Sequence, residues 1–400
     1  MTETNFGGCM RYVVSGEPTG SILTAVVYGV PAGLRISTRS IDSDLGRWAK
    51  HLALPDITDD YVMAISGLRE GRTTGEAVVL CLDNEAFANA LSSARSSIDL
   101  VEASSSAPKH AYGRAIEGCG GLVGSLKRDV PSWIAWDPCQ FRLDAARVIA
   151  SGIAREFLAD LGIELESYVT RVGDAAMTDD RMDALGSPFD PLAIETSSMR
   201  CPDARTDAQM KAEVARFARK GETLGGQFVV SASGLLAGIG DVPRSGASLN
   251  GRLARALFSV DGVCAVEFGQ GVASGRTSGP SEVDRVKLNR TQGFARQTNR
   301  SGGLECGMST GMPLQVKATV AASPVCAGEN EAFDLDGLEA CSEQAHFVST
   351  CAIPSSAVVA EGEVAFVLAS MYQEKFGGDC MADVRRNVES YAGRLRQAAR

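Results

Sequence analysis

Residues 142–160 constrain the fold most. Ala146, Ile149, Ile153 and Phe157 recur at helical spacing and build one apolar face. Ala150, Ser151, Gly152 and Ala154 lie among them, and such small side chains leave room for another element to approach closely. A second apolar helix is expected over 358–371. A final amphipathic one, capped by Asp379, would bury Val384, Val388, Tyr391 and Leu395. Another uses Met210, Val214 and Phe217, with Thr206 or Asp207 as its cap and Gly221 as its stop.

Strand signals surround these helices without alternating regularly with them. Leu23 to Val30 reads as a buried strand running into the Pro31–Gly33 turn. Ala64-Ile65 and Val78-Val79-Leu80 flank the Gly71–Gly75 turn and are expected to pair antiparallel. Further strands near 227–233 and 263–269 bracket a helix carrying Leu249, Leu253 and Leu257. Leu314, Val316, Ala318 and Val320 alternate as one buried strand face. This order predicts an α+β fold and argues against a doubly wound sheet. With no long linker, residues 1–400 read as a single domain.

The net charge of −10, with 39 basic residues, argues against a nucleic-acid partner, whose backbone is held mainly by Lys and Arg. An anionic small molecule would need a local cluster of cations against that global field. No apolar run approaches the ~20 residues of a membrane helix, and Met1-Thr2-Glu3-Thr4-Asn5 does not open a secretory signal. The expectation is a cytoplasmic protein with no membrane partner. Eleven cysteines include no C-x-x-C pair, and His51, His110 and His346 are far apart, so no metal site is expected. The thiols read as small buried hydrophobes.

Three glycine clusters invite a phosphate-cradle reading: Gly118/Gly120/Gly121/Gly124, Gly221/Gly225/Gly226 and Gly302/Gly303/Gly307. None ends in a basic P-loop signature, and on these residues alone tight turns or close backbone packing are the preferred account.

More specific is the ordered series Asn5-Phe6-Gly7, Gly16-Glu17, Gly29–Gly33, Asp44-Leu45-Gly46-Arg47 and Ser66–Gly75. It continues through Ala146–Ala154, Cys201-Pro202-Asp203, Gly225-Gly226, the Leu253–Glu267 block, Ser281-Glu282 and Thr298–Gly303. In order and spacing this series resembles the chorismate synthase family over nearly the whole chain. The resemblance implies a β-α-β sandwich with helices enclosed between antiparallel sheets, commonly assembled as a tetramer. It implies reduced FMN as cofactor and an anionic substrate, enolpyruvylshikimate phosphate, from which phosphate and a proton are eliminated to give chorismate. By the same resemblance His110 is the candidate catalytic residue. Arg47 and Arg142 are the candidate substrate-binding residues, and Asn299, Gly302 and Gly303 would contact the flavin.

The chain departs from the family's pattern where the chemistry concentrates. A family histidine is replaced by Thr19, and Trp48 and Leu54 stand at positions that are usually arginine. The arginine-bearing run ahead of the long helix reads Pro138–Asp144 and keeps only Arg142. An Asn-Ala pair becomes Asp261-Gly262, a flavin-contacting glycine becomes Cys306, and Lys-Pro-Thr becomes Ala321-Ala322-Ser323. The segment carrying the acid–base aspartate falls near Phe347–Thr350, with His346 adjacent but out of register. Three readings stay open. The first is an active chorismate synthase using reduced FMN. The second is a catalytically impaired paralogue without cofactor, a structural or regulatory partner assembled as a homo-oligomer or as a hetero-oligomer with an intact copy. In the third, the cleft takes a neutral or less anionic ligand, which Trp48 and Phe347 would suit.

Overall fold

The computed structural model describes residues 2–3, 10–52, 60–99, 112–178, 182, 189–243, 246–289 and 293–398. Two five-stranded antiparallel sheets form its outer layers. The first has the spatial order Thr2–Glu3, Arg11–Ser15, Ile22–Tyr28, Val78–Asp83, Val62–Ser66. The second runs Ala175–Ala176, Glu164–Val172, Gly226–Ser233, Leu314–Val320, Val263–Phe268. Each sheet turns one face inward, as period-two alternation requires. Leu23, Ala25 and Val27 are buried from the first sheet, and Leu314, Val316, Ala318 and Val320 from the second.

Helices fill the space between. Helix α1 spans Thr38–Ala49, α2 Asp144–Asp160 and α3 Ile353–Phe376. Helix α2 packs on the first sheet, α3 packs on the second, and the two helices lie against each other. The small residues expected to permit close approach do so. A Cβ on Gly152 would fall 2.6 Å from Ile41 of α1, and one on Gly362 would fall 2.6 Å from the Ser151 Cβ across the α2–α3 contact. The β-α-β sandwich is therefore observed.

Helix α3 is buried on every side, and by length and composition it could cross a membrane; 94% of its apolar window is buried inside the protein. Glu361 and Glu363 interrupt its apolar run, which is why the sequence reads as having no long one. Both carboxylates meet arginines. Glu361 is paired by Arg47 and Arg155, and Glu363 accepts from Arg147 and from the Tyr12 hydroxyl. Burial pushes the Glu361 carboxyl up, but Arg47, then Arg155 and Arg200, hold it well below the usual carboxylate range.

Two capping expectations are corrected. The helix Ala204–Ala218 is capped by Asp203, whose carboxylate accepts from the Thr206 N–H at 2.9 Å. The last helix, Met381–Gln397, starts after Cys380, and Asp379 instead lends its carbonyl to the Ala32 N–H at 2.9 Å. A three-stranded sheet, Arg114–Ile116 with Gly328–Asp334 and Glu339–Ala345, stands apart from the main sandwich.

Candidate functional site

The amino-terminal ends of α2 and α3 open on a common cleft of about 390 Å³. The turn of 3-10 helix Pro138–Leu143 leads into α2 and supplies Gln140 and Phe141 to its lining. Asp137 caps that turn by accepting from the Cys139 N–H at 2.8 Å. Trp48, from the last turn of α1, closes the floor, and Trp136 stands on another wall. From the second sheet come Asp261-Gly262, just ahead of one strand, and Val320 to Ser323, at the end of its neighbour. Phe347 to Thr350 complete the circuit before α3 begins.

Most of the sequence departures noted above therefore meet in one place. Trp48, Gln140, Asp261 and Gly262 line the cleft, as do Ala321 to Ser323 and Phe347 to Thr350. Thr19 does not. It is exposed in a turn that Asn84 holds by donating to the carbonyls of Pro18 (3.1 Å) and Gly20 (2.7 Å). Phe347 has φ of +55°, a conformation costly for a bulky side chain, and its ring packs 5.8 Å from that of Phe87.

The charge of the lining is one-sided. Asp137, Asp144 and Asp261 contribute to it, and among its described residues there is no Lys, Arg or His. Burial pushes the Asp144 carboxyl up to about 6; Arg147 pulls it down, and the charge of Asp261 adds to the rise. Asp144 keeps one contact with the Arg147 guanidinium, at 3.2 Å. Arg147 itself is drawn away by Glu363, at 2.7 Å, and by the Ser259 carbonyl and hydroxyl.

The arginines marked as substrate-binding are spent inside the fold. Arg47 donates to Glu195 (2.9 Å), Asp44 (2.8 Å) and both oxygens of Glu361 (3.0 and 2.9 Å). Burial alone would lower its pKa, but Glu361 and then Asp44 raise it further above its normal value. Arg142 is fully buried and forks onto Asp60 at 2.6 and 2.8 Å, while its Nε donates to Asn84 at 2.7 Å. Its guanidinium lies 5.2 Å from the Phe87 ring centroid. Neither arginine is in the cleft lining.

Asn299, Gly302 and Gly303 form a tight turn outside that lining. Asn299 donates to the Pro313 carbonyl at 2.8 Å, while its Oδ1 is buried without a partner. Gly302 and Gly303 have φ of +66° and +81°. A Cβ there would meet Gly269 N at 2.4 Å and the Pro313 carbonyl at 2.5 Å, so backbone packing demands glycine at both. Cys306 keeps φ of +48° where the family pattern has glycine. His110 and Leu54 lie outside the described residues.

Sequence reasoning missed several lining residues. Gly118 and Gly120, read as indifferent turns, border the cleft directly, and a Cβ on Gly118 would press on Pro324 at 2.9 Å. Asp144 carried a signal, because an acidic residue opening a helix marks its amino-terminal end. Asp137 and Trp136 carried none.

A two-sheet sandwich enclosing paired helices, with a cleft where those helices begin, defines a layered α+β protein. The family model described as chorismate synthase matches residues 10–373. A chorismate synthase of Anaeromyxobacter dehalogenans is 35% identical over 396 residues, covering 97% of this chain and all of the relative. That of Endomicrobium trichonymphae is 32% identical over 394 residues, covering 97% and 99%. A solved structure described as a crystal structure of chorismate synthase superposes with a TM-score of 0.75 at 26% identity, covering 97% of this chain and 98% of that one. The chain belongs to the chorismate synthase family.

Proposed function

We propose that this chain is a non-eliminating member of its family, which has kept the fold, lost the reaction, and acts in the cytoplasm as a structural or regulatory partner of an intact chorismate synthase. One observation carries the reading: the described lining of the cleft holds three carboxylates and no cation, while Arg47 and Arg142 are committed to internal pairs. The family's substrate brings two carboxylates and a phosphate, and FMN brings another phosphate. Binding such charge out of water requires paired, forked donors. An unpaired buried anion costs several kcal/mol, and here it would also face Asp137, Asp144 and Asp261. The described lining does not fit the FMN phosphate, so no step is derived through the flavin.

Assembly as a homo-oligomer or with an intact paralogue is supported by an apolar hairpin face. In Val286–Asn289 and Gly293–Arg296, Leu288 pairs with Phe294, and Val286, Leu288 and Phe294 are all more than half exposed. Full-length identity of 30–35% to chorismate synthases favours the alternative reading, an active enzyme. The two are separated by supplying reduced FMN and enolpyruvylshikimate phosphate and following chorismate. No product, together with co-purification of an intact chorismate synthase from the same cells, is expected. Turnover would overturn the proposal.

A further inference from the structure

The cleft has a lining with a chemistry of its own. At about 390 Å³ it falls in the size range of sites for ring-bearing small molecules. Trp48, Trp136, Phe141 and Phe347 give it aromatic walls. Its charges are unequal in commitment. Asp137 holds the Cys139 N–H, and Asp144 shares Arg147 with Glu363. Asp261, at the exposed mouth, makes no hydrogen bond or ion pair among the described residues and adds its repulsion to Asp144. The start of α3 contributes about half a positive charge, which three carboxylates outweigh. The start of α2 is already met by its own Asp144.

Resting on the reading that the cleft no longer takes anions, we propose that it binds an aromatic molecule carrying a protonated amine. The ring lies against the tryptophan and phenylalanine walls, and the ammonium is held by Asp261 and Asp144. An ammonium there relieves the repulsion between the two carboxylates and can also face an aromatic ring. A neutral aromatic gains only the walls. An aromatic carboxylate meets like charge, and a zwitterionic amino acid brings a carboxylate for which the described lining offers no cation.

The test is isothermal titration of the full chain at pH 7.5 with 2-phenylethylamine, 2-phenylethanol, 3-phenylpropionate, phenylalanine and FMN. The amine should bind at least tenfold more tightly than the alcohol, with no measurable heat from propionate, phenylalanine or FMN. Asp261→Asn, at an exposed position, should weaken the amine about tenfold and leave the alcohol unchanged. Trp136→Ala should weaken both, with near-ultraviolet circular dichroism confirming the fold of each variant. Equal affinity for amine and alcohol, or no binding of either, overturns this inference and leaves the non-eliminating reading standing. Tight binding of FMN or propionate overturns both.

Discussion

Replacing Arg142 by alanine distinguishes a ligand-binding arginine from one built into the fold. Its guanidinium is fully buried and makes three charge-assisted hydrogen bonds, two to Asp60 and one to Asn84. Removing it strands the Asp60 carboxylate, whose side chain is only 10% exposed. It also frees Asn84, which anchors the Pro18–Gly20 turn. Breaking a buried pair from one side costs about 3–5 kcal/mol, and lost contact with Phe87 adds to that. Urea unfolding should therefore report a loss of about 4 kcal/mol for Arg142→Ala with no change in m-value. Asp60→Asn should cost a similar amount. The double variant should fall short of the sum by about 2 kcal/mol, because the partners no longer strand each other. A single-variant loss below about 1 kcal/mol, the range of an exposed pair, would refute this and return Arg142 to the pool of ligand-binding candidates.

Other consequences are equally direct. Asp144 has a raised carboxyl pKa, from 3.8 to about 6, so the folded state keeps its proton longer than the unfolded chain does. Stability from this group is present below pH 4 and declines through about pH 6, by up to about 3 kcal/mol. Asp144→Asn should flatten that part of the pH–stability curve, and an unchanged slope would assign it elsewhere. Glu361 has the opposite sign. Its stability is present above the ordinary carboxylate range and lost on strong acidification, and Glu361→Gln should cost about 3 kcal/mol at neutral pH, the low end for a buried pair broken from one side, because Asp44 still faces both Arg47 and Arg155. Gly362→Ala tests the α2–α3 approach: alanine should stabilise an ordinary helix by about 1 kcal/mol, yet here its Cβ falls 2.6 Å from Ser151. A loss of about 1–3 kcal/mol is expected, read as a lowered midpoint in thermal unfolding. Cys306→Gly should raise stability by about 1 kcal/mol by relieving its positive φ.

The architecture was legible because local signals and packing agree. The period-two face of Leu314–Val320 and the small residues of α2 each satisfy one geometric demand, and the sandwich follows from them. Caps were harder to read, since Asp203, Thr206 and Asp207 all suit a helix start and only the backbone path selects Asp203. Of the cleft, the departures from the family's pattern were legible, whereas Arg47, Arg142, Asn299, Gly302 and Gly303 do not line it. Positions 48, 140, 261–262, 321–323 and 347–350 are scattered through the chain, yet they meet at one cleft. What sequence could not convey was the engagement of charge. Arg47 and Arg142 read as free cations until Glu361 and Asp60 are seen against them, and those partners come from remote segments. Asp144 was legible only as the end of the run Pro138–Asp144 and as an acidic residue opening a helix, which is ordinarily a dipole partner and not a cleft charge.

The electrostatic character of the cleft is tested most directly by flavin. Equilibrium titration of the purified chain with reduced FMN under anaerobic conditions, with and without enolpyruvylshikimate phosphate, should give no saturable binding and no chorismate. Saturable binding strengthened by the phosphorylated substrate would contradict the account.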